Sequence, residues 1–204
     1  MRTLSFSDPA DLPVAAAATR LIRAAHGVLA IPTETFYGLA VDPTDPIAVT
    51  RVFECKGRSA EKALPVLCGS LEQVEELVVL PVHWRAALAA AWPAPLTVVL
   101  PLKRALPVGD DTLAVRIPGH ALLRALLVEV GPLTGTSANR SGARPLADPD
   151  DVRVDFGGRL DLLLDGGRTP GGLASTLVYL VSDPPRVLRP GAWVPPESWG
   201  VNAP

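Results

Sequence analysis

The 204-residue sequence is poor in cysteine and aromatic residues and contains no long apolar run. Two cysteines, Cys55 and Cys68, are too few for a disulfide framework, and free thiols are typical of a reducing cytosol. Aromatic residues make up 5% of the chain, which disfavours a stacking platform for nucleic acid. No segment approaches about 18 uninterrupted apolar residues, and the acidic, proline-containing start does not fit a signal peptide. We therefore expect a soluble, cytoplasmic protein without membrane contact.

The balance of charge excludes further classes of function. The formal net charge is −2, so the protein as a whole has no electrostatic attraction for nucleic acid, although a local basic patch is compatible with this value. The histidines His26, His83 and His120 lie far apart on separate predicted helices, without the spacing of metal ligands. We accordingly expect neither a metal site nor a Ser/His/Asp triad.

The hydrophobic pattern predicts an α/β protein made of many short elements. Hydrophobic residues make up 48% of the chain and charged residues 20%, as in an ordinary globular protein, and we find no internal repeat. We predict one domain over residues 1–204, with a twisted mixed sheet, flanking helices and a concave basic cleft. The predicted helices cover about 11–26, 46–55, 82–91, 120–130 and 149–156, with another starting after Ser70, and the predicted strands cover 28–32, 36–42, 64–68, 96–102, 112–118, 160–165, 175–181 and 185–189.

Capping residues fix several of these boundaries. Asp45 followed by Pro46 is typical of an N-cap with proline at the first helical position. Ser70 and Gln73 have the spacing of a capping box. Gly27 follows the first helix and predicts its end.

Polar segments follow the ends of several predicted strands and helices, where α/β proteins collect their functional residues. Each segment has an ordinary structural interpretation: a solvated helix end for Lys56–Ser59, a hydroxyl-capped loop for Thr33–Thr35, and a flexible glycine-rich loop for Asp165–Gly172. Arg116 and Arg189 are different, because a guanidinium inside an apolar strand needs a buried acidic partner or an anionic ligand. A structural salt bridge remains the alternative for one of them.

The combination of these segments predicts a site for a polyanion such as a nucleoside triphosphate. Lys56, Arg58, Arg116 and Arg189 would supply positive charge, and loops rich in Ser, Thr and Gly would supply hydrogen-bond donors. The sequence lacks both the Walker A pattern and the GxGxxG fingerprint. Any phosphoryl chemistry would thus depend on positioning and charge, with Mg²⁺ carried by the nucleotide.

These segments, in this order, resemble the YrdC/Sua5/TsaC family of threonylcarbamoyl-AMP synthases. The resemblance extends over about residues 28–191, and the order of the motifs makes it specific. The matching segments are PTETFYGLA (32–40), KGRS with Lys62 (56–62), LTVVLP (96–101), TLAVRIPGH (112–120), TSANRSG (136–142), GGLAST (171–176) and LRPG (188–191).

The resemblance implies a nucleotidyltransferase that makes L-threonylcarbamoyl-AMP and pyrophosphate from L-threonine, bicarbonate or CO₂, and ATP. It also implies that the product serves the t⁶A modification at position 37 of tRNA, through downstream transferase proteins. The implied threonine-binding residues are Thr35, Arg116 and Ser175. The implied ATP-binding residues are Arg58, Lys62, Thr112, Ser137, Asn139 and Arg189, with Lys56 and Arg58 as the catalytic pair of the same basic cleft.

Three positions depart from the pattern of the family. Longer members often have histidine where Leu67 stands, Gly135 offers only backbone, and Pro145 has no hydroxyl. The chain ends soon after the LRPG segment, so the resemblance is to the short, single-domain form. We expect the threonine contacts near Leu67 and Gly135 to differ from those of the longer members.

Two other functions remain as alternatives. The first is a module that binds double-stranded RNA or tRNA without chemistry; the net charge of −2 and the scarcity of aromatic residues oppose it. The second is a carbamoyl-phosphate-processing domain like those of hydrogenase maturation proteins, whose acylphosphatase and zinc-finger-like segments are absent from the sequence.

Overall fold

The computed structural model describes residues 1–57 and 63–202 and has the predicted α/β class. Its strands form two mixed sheets, so the prediction of a single mixed sheet was wrong. The sequence hides the division because the chain passes from one sheet to the other within Leu133–Ser137, where Gly135 alone separates two very short strands.

The helices of the described residues follow the predicted pattern closely. The side chain of Asp45 accepts hydrogen bonds from the backbone N–H groups of Ile47 and Ala48, which confirms the predicted N-cap. Gly57 ends the same helix in the left-handed conformation, with φ of 60°. The helices are α1 (Leu12–Ala24), α2 (Pro46–Lys56), α3 (Leu71–Leu77), α4 (Val82–Ala91), α5 (Ala121–Val130) and α6 (Pro149–Phe156), and short 3₁₀ turns cover Pro9–Asp11 and Glu197–Trp199.

Each predicted strand is present but shorter than its apolar run. The strands are β1 (Arg2–Ser5), β2 (Leu29–Ile31), β3 (Gly38–Ala40), β4 (Val66–Leu67), β5 (Leu96–Pro101), β6 (Thr112–Arg116), β7 (Leu133–Thr134), β8 (Thr136–Ser137), β9 (Leu162–Asp165), β10 (Thr176–Tyr179) and β11 (Arg186–Arg189). Of these, β1, β7 and β8 were not predicted.

The strands divide between two sheets, which we call sheet I and sheet II. Sheet I has the order β1-β9-β2-β3-β8, with β9 parallel to both β1 and β2. Sheet II has the order β11-β10-β5-β6-β4-β7, with parallel pairing of β10 with β5 and of β4 with β6. The connection through Gly135 thus joins the β7 edge of sheet II to the β8 edge of sheet I.

Sheet I is buried on both faces, which explains why its central strands read as continuous apolar runs. Along β9, Leu162 and Leu164 belong to one hydrophobic cluster and Leu163 to the other, as the period of two in a strand requires. Helices α1 and α5 cover the first face. Each fully buried leucine contributes about 1.5–3 kcal/mol to the free energy of unfolding.

The predicted capping box at α3 forms only in part. Ser70 Oγ accepts a hydrogen bond from the backbone N–H of Gln73, at 3.4 Å. The Gln73 side chain does not return this bond to Ser70; its Oε1 accepts from the backbone N–H of Gly69, at 2.7 Å, and its Nε2 donates to the carbonyl of Leu127, at 2.8 Å. Gln73 therefore ties the start of α3 to α5.

Two further sequence expectations concern the cysteines and membrane contact. Cys55 and Cys68 are buried and unpaired, and burial raises the pKa of each thiol. Within residues 1–57 and 63–202, no helix combines the length and the apolar character that crossing a bilayer would require.

Candidate functional site

A cavity of about 390 Å³ lies between the two sheets and collects much of the predicted site. Sheet I contributes its wall through the loop after β2 and through β8, and sheet II contributes β4, β6 and the start of β10. We call this cavity the inter-sheet cleft. The predicted site residues that line it are Thr35, Arg116, Ser137, Ser175 and Arg189.

Arg116 lies at the end of β6 on the floor of the inter-sheet cleft. Its backbone is fixed by pairing with Leu67 of β4, and its carbonyl accepts a hydrogen bond from Cys68 at 2.9 Å. The residue is 7% exposed, and its Nη2 forms an ion pair with Glu34 Oε1. The structural salt bridge considered for one strand arginine is therefore present here, although Arg116 also lines the cleft.

Arg189 approaches the same cleft from β11 with different partners. Its Nη2 donates to the carbonyl of Ser175 at 2.9 Å and reaches Ser175 Oγ at 3.3 Å. Burial lowers the pKa of Arg189, and the positive charge of Arg116 lowers it further. Because its described hydrogen bonds go only to neutral acceptors, Arg189 leaves an excess of positive charge in the cleft.

The hydroxyl of Ser175 is held by its neighbours before any ligand binds. Thr97 of β5 is buried, and its Oγ1 lies 2.8 Å from Ser175 Oγ. At Gly191 an added Cβ would lie 2.2 Å from the carbonyl oxygen of Ala174, so only glycine allows this close approach. The LRPG segment is thus packed directly against the backbone that presents Ser175.

A second buried hydroxyl pair lies across the cleft, in the loop between β2 and β3. Thr33 Oγ1 donates to the carbonyl of Phe36 at 2.7 Å and lies 3.0 Å from Thr35 Oγ1. The Thr35 carbonyl accepts a hydrogen bond from Gly171 at 2.7 Å. This bond anchors part of the glycine-rich segment that the sequence alone left open as a flexible loop.

Tyr37 reinforces the same region. Its hydroxyl donates to the carbonyl of Gly167 at 2.8 Å and accepts from the backbone N–H of Gly166 at 3.2 Å. Burial raises the pKa of Tyr37 to about 12, so the phenol stays protonated at neutral pH and keeps both bonds.

Lys56 cross-links the end of α2 to the segment after β8. The residue is 3% exposed, and its Nζ donates to the backbone carbonyls of Ser137 and Asn139 and, at 3.1 Å, to Asn139 Oδ1. Ser137 Oγ donates to the same Oδ1 at 2.6 Å. Lys56 and Asn139 therefore shape the loop from behind, and of the three residues only Ser137 lines the cleft.

The Leu67 side chain packs directly against the backbone of Gly135. A Cβ at Gly135 would lie 2.4 Å from Leu67 Cγ, so the space beside the glycine is filled by leucine. The backbone that Gly135 offers is therefore approached closely by the Leu67 side chain. Both residues line the cleft together with Pro145 and give it an apolar section.

Three further predicted residues are Arg58, Lys62 and Thr112. Arg58 and Lys62 fall outside the described residues. Thr112 starts β6 and is not among the residues that line the cleft, although it shares the face of Ala114 and Arg116 along the strand. Arg140, in the loop after β8, is exposed.

A larger groove, of about 1010 Å³, lies on another part of the surface between α4 and the end of the described chain. Trp84, Trp193 and Trp199 line it, and none of the predicted site residues that the structure describes does. The inter-sheet cleft, rather than the larger groove, therefore has the chemistry of an anion site.

Sequence reasoning missed three residues that organise the inter-sheet cleft. The sequence places Glu34 only within the segment Thr33–Thr35, Thr97 only within the predicted strand 96–102, and Tyr37 only within the predicted strand 36–42. Thr97 interrupts the run LTVVLP with a hydroxyl, which was the available signal. Nothing local indicates that Glu34 faces Arg116, since 82 residues separate them.

Comparison with known proteins connects this geometry to a family. A sequence profile of Sua5, YciO and YrdC proteins, described as "Telomere recombination", matches residues 22–191. The chain belongs to the Sua5/YciO/YrdC family. The profile ends at Gly191, where the LRPG segment packs against Ala174, and thus includes every described residue named above as lining the inter-sheet cleft.

Two relatives in the Sua5/YciO/YrdC family are named for the same activity. The threonylcarbamoyl-AMP synthase of Pyrococcus abyssi (strain GE5 / Orsay) is 39% identical over 170 residues, covering 80% of this chain and 50% of the relative. The threonylcarbamoyl-AMP synthase of Bacillus subtilis (strain 168) is 36% identical over 186 residues, covering 88% and 54%. The chain thus spans about half the length of these curated relatives.

The fold agrees with a solved member of the family. The crystal structure of P. abyssi Sua5 complexed with L-threonine superposes with a TM-score of 0.84 at 35% identity, covering 94% of this chain and 58% of that one. The family and the α/β fold are therefore established for the chain.

Proposed function

We propose that this chain makes L-threonylcarbamoyl-AMP and pyrophosphate from L-threonine, bicarbonate or CO₂, and ATP. The observation that carries the proposal is the inter-sheet cleft, where Arg116 and Arg189 lie on a wall with a buried hydroxyl between them. The name of the relatives and the L-threonine in the P. abyssi Sua5 structure support the same substrates.

The threonine end of the proposed site is built around Arg116. Its planar guanidinium suits the carboxylate of an amino acid, whereas a lysine would offer only a point charge. Thr35 and Ser175 supply hydroxyls on either side, already oriented by Thr33 and Thr97. Leu67 gives this end an apolar surface that fits the methyl group of threonine.

The nucleotide end of the proposed site is built around Arg189 and the loop after β8. Arg189 offers positive charge without a carboxylate partner among the described residues, and Ser137 presents its hydroxyl at the cleft. We assign Arg58, Lys62, Thr112 and Asn139 to ATP as well, on the resemblance of their segments. Mg²⁺ would enter with the triphosphate as part of the substrate.

The proposed reaction needs orientation and fixed charge rather than a protein nucleophile. The threonine amine and CO₂ form a carbamate, and a carbamate oxygen attacks the α-phosphorus as the bond to pyrophosphate breaks. Negative charge then gathers on the α-phosphate oxygens and on the leaving pyrophosphate. Buried cations and preoriented hydroxyls stabilise this charge because they need not reorganise during the step.

The proposal extends to the users of the product. Threonylcarbamoyl-AMP is an activated mixed anhydride, so it needs an acceptor enzyme that transfers the threonylcarbamoyl group to adenosine 37 of tRNA. This role would place the protein in the cytoplasm with the t⁶A transferase proteins. Direct binding of double-stranded RNA or tRNA has weaker support, given the formal net charge of −2.

The test is incubation of the protein with ATP, L-threonine and bicarbonate, with detection of pyrophosphate and of an AMP-linked product. We expect both products to depend on threonine. Arg189→Ala should lower kcat/KM by about 100-fold or more, as expected for loss of a preorganised charge contact. Arg104→Ala removes an exposed arginine and serves as the matched control. Wild-type protein that released no threonine-dependent pyrophosphate, or that bound RNA in a salt-sensitive way instead, would contradict the proposal.

A further inference from the structure

The half-buried partner of Arg116, Glu34, has no role in the site described so far. Glu34 lies between two cleft-lining threonines, but its own side chain is not among the described residues that line the inter-sheet cleft. It instead contacts the guanidinium from behind, with 19% of the side chain exposed against 8% for Arg116. Glu34 can therefore act on a ligand only through the arginine.

The ion pair uses one nitrogen of the guanidinium. Glu34 Oε1 accepts from Arg116 Nη2, while Glu34 Oε2 and Arg116 Nε are both buried and have no partner in the described chain. The carboxylate therefore contacts the guanidinium through Nη2 alone, and the Nε–H stays unpaired in the described chain. Arg116 Nη1 has no hydrogen bond to a described residue and is not among the buried unpartnered atoms, which leaves it open to the cleft.

Packing keeps Glu34 in this place. A Cβ added at Gly119 would lie 3.0 Å from Glu34 Cγ and 3.2 Å from Glu34 Cδ, so the backbone of Gly119 closes the space behind the carboxylate. Gly119 thus supports Glu34, which in turn holds Arg116. The side of Arg116 that meets a ligand is set by this stack of three residues.

The two arginines of the cleft consequently differ in charge compensation. Arg116 has a carboxylate partner, whereas the described hydrogen bonds of Arg189 all go to Ser175. Arg116, whose charge is compensated by Glu34 and whose Nη1 makes no hydrogen bond within the described chain, suits an anion of one charge, such as a carboxylate. A guanidinium without a carboxylate partner among the described residues attracts the higher charge of a phosphate chain.

We propose that Glu34 is a positioning residue that assigns the two arginines of the cleft to different anions. It directs Nη1 of Arg116 toward the amino-acid carboxylate and, by compensating that arginine, reserves the phosphates for Arg189. This inference rests on the proposed function, because it assumes that an amino acid and a nucleotide share the cleft. Without the charge of Glu34, Arg116 would be freed from its orientation and would attract phosphate.

Glu34→Gln tests this assignment, because it keeps the shape of the side chain and removes its charge. We expect the KM for threonine to rise about tenfold while the KM for ATP changes by less than about twofold. Pyrophosphate should also become a several-fold stronger competitor of threonine. Glu76→Gln, on the exposed face of α3, is the matched control and should change none of these values. A purely structural role for Glu34 would raise both KM values together, and that result would overturn the proposal.

A second variant, Gly119→Ala, keeps the inference testable if Glu34→Gln does not fold. Gly119→Ala retains the charge of Glu34 and pushes on its side chain, so it should raise the KM for threonine in the same direction by a smaller factor. An unchanged KM for threonine in Gly119→Ala would count against the stack of three residues.

Calorimetry separates this inference from the proposed function. If the wild-type protein forms no product, the proposed reaction fails, but titrations with L-threonine and with inorganic pyrophosphate still report on Arg116. Glu34→Gln should then bind threonine more weakly and pyrophosphate more tightly than the wild type does. Equal affinities of the two proteins for pyrophosphate would overturn the role of Glu34 whatever the enzyme assay shows.

Discussion

At the scale of single residues, the inter-sheet cleft depends on positions where backbone must come unusually close to other atoms. A Cβ at Gly191 would lie 2.2 Å from the carbonyl of Ala174, and one at Gly135 would lie 2.4 Å from Leu67 Cγ. The first contact is with backbone, which cannot move aside, and the second is with a side chain that can be exchanged. Only the second site can therefore be tested by a compensating change.

Gly135→Ala should destabilise the protein by about 1–3 kcal/mol, because the new methyl overlaps Leu67 in a filled space. Leu67→Ala alone should also destabilise it, by about 2–5 kcal/mol, through the cavity it leaves. In the double variant the new methyl occupies part of that cavity. Urea denaturation of all four proteins should give a double-variant loss smaller than the sum of the single losses. Strict additivity would show that the two residues do not share this space.

The sequence was sufficient to single out the arginines but not their partners. A charged residue within an apolar strand must be neutralised or bind an anion, so Arg116 and Arg189 were identifiable without a structure. The choice between those two outcomes depends on which residues the fold brings near. Glu34 is in a different sheet's loop, and the hydroxyl of Thr97 meets Ser175 only through the pairing of β5 with β10.

At the scale of elements, the residues that cap the two ends of α2 lie next to different parts of the molecule. The side chain of its N-cap, Asp45, accepts hydrogen bonds from the first turn of the helix, and its carboxylate lies 2.6 Å from Nδ1 of His26. Its C-cap, Gly57, directly follows the lysine that holds the loop after β8. A destabilising substitution at the C-terminal end of α2 should therefore weaken nucleotide binding, whereas one at the N-terminal end should not.

Asp45→Ala and Gly57→Ala form a matched pair. Loss of the N-cap should cost about 1 kcal/mol. Alanine at φ of 60° should cost about 1 kcal/mol through backbone strain, since no atom of the described residues beyond the chain neighbours lies within 4 Å of the added Cβ. Only Gly57→Ala should raise the KM for ATP, by several-fold, because it displaces Lys56. Steady-state kinetics and urea denaturation measure the two effects separately. An equal rise in KM for both variants would mean that overall stability, not the end of α2, governs nucleotide binding.

The elements that were predicted are those whose signals are local. Helix α2 begins at an Asp-Pro cap, and α6 was predicted with the bounds that the structure has. Strand β1 was missed because its four residues become a strand only by pairing with β9, far along the chain. Strands β7 and β8 are two residues each, too short for any periodicity to be recognised.

At the scale of the whole molecule, the cleft has one wall on each sheet. Thr35 and Ser137 belong to the side of sheet I, and Arg116, Ser175 and Arg189 belong to the side of sheet II. A threonine and a nucleotide that occupy the cleft together would therefore contact both sheets. Their binding energy would add directly to the stability of the association between the sheets.

We expect hydrogen–deuterium exchange to slow in both β6 and β8 when ATP and threonine are present together. At a ligand concentration about 100 times the dissociation constant, the stabilisation should be about 2.7 kcal/mol. Strand β1, at the far edge of sheet I, should exchange at an unchanged local rate and provides the internal control. Protection confined to one sheet would show that the ligands do not bridge the cleft.

The passage from β7 through Gly135 to β8 also bears on how the family can vary. Leu133 belongs to the core, Gly135 accommodates Leu67, and Ser137 reaches the cleft, all within five consecutive residues. A strand reverses its faces with each residue, so a single insertion here would exchange the inward and outward side chains downstream. An insertion between Gly135 and Ser137 should therefore turn the Ser137 side chain away from the cleft, whereas a substitution at Gly135 would keep the register and bring the new side chain against Leu67.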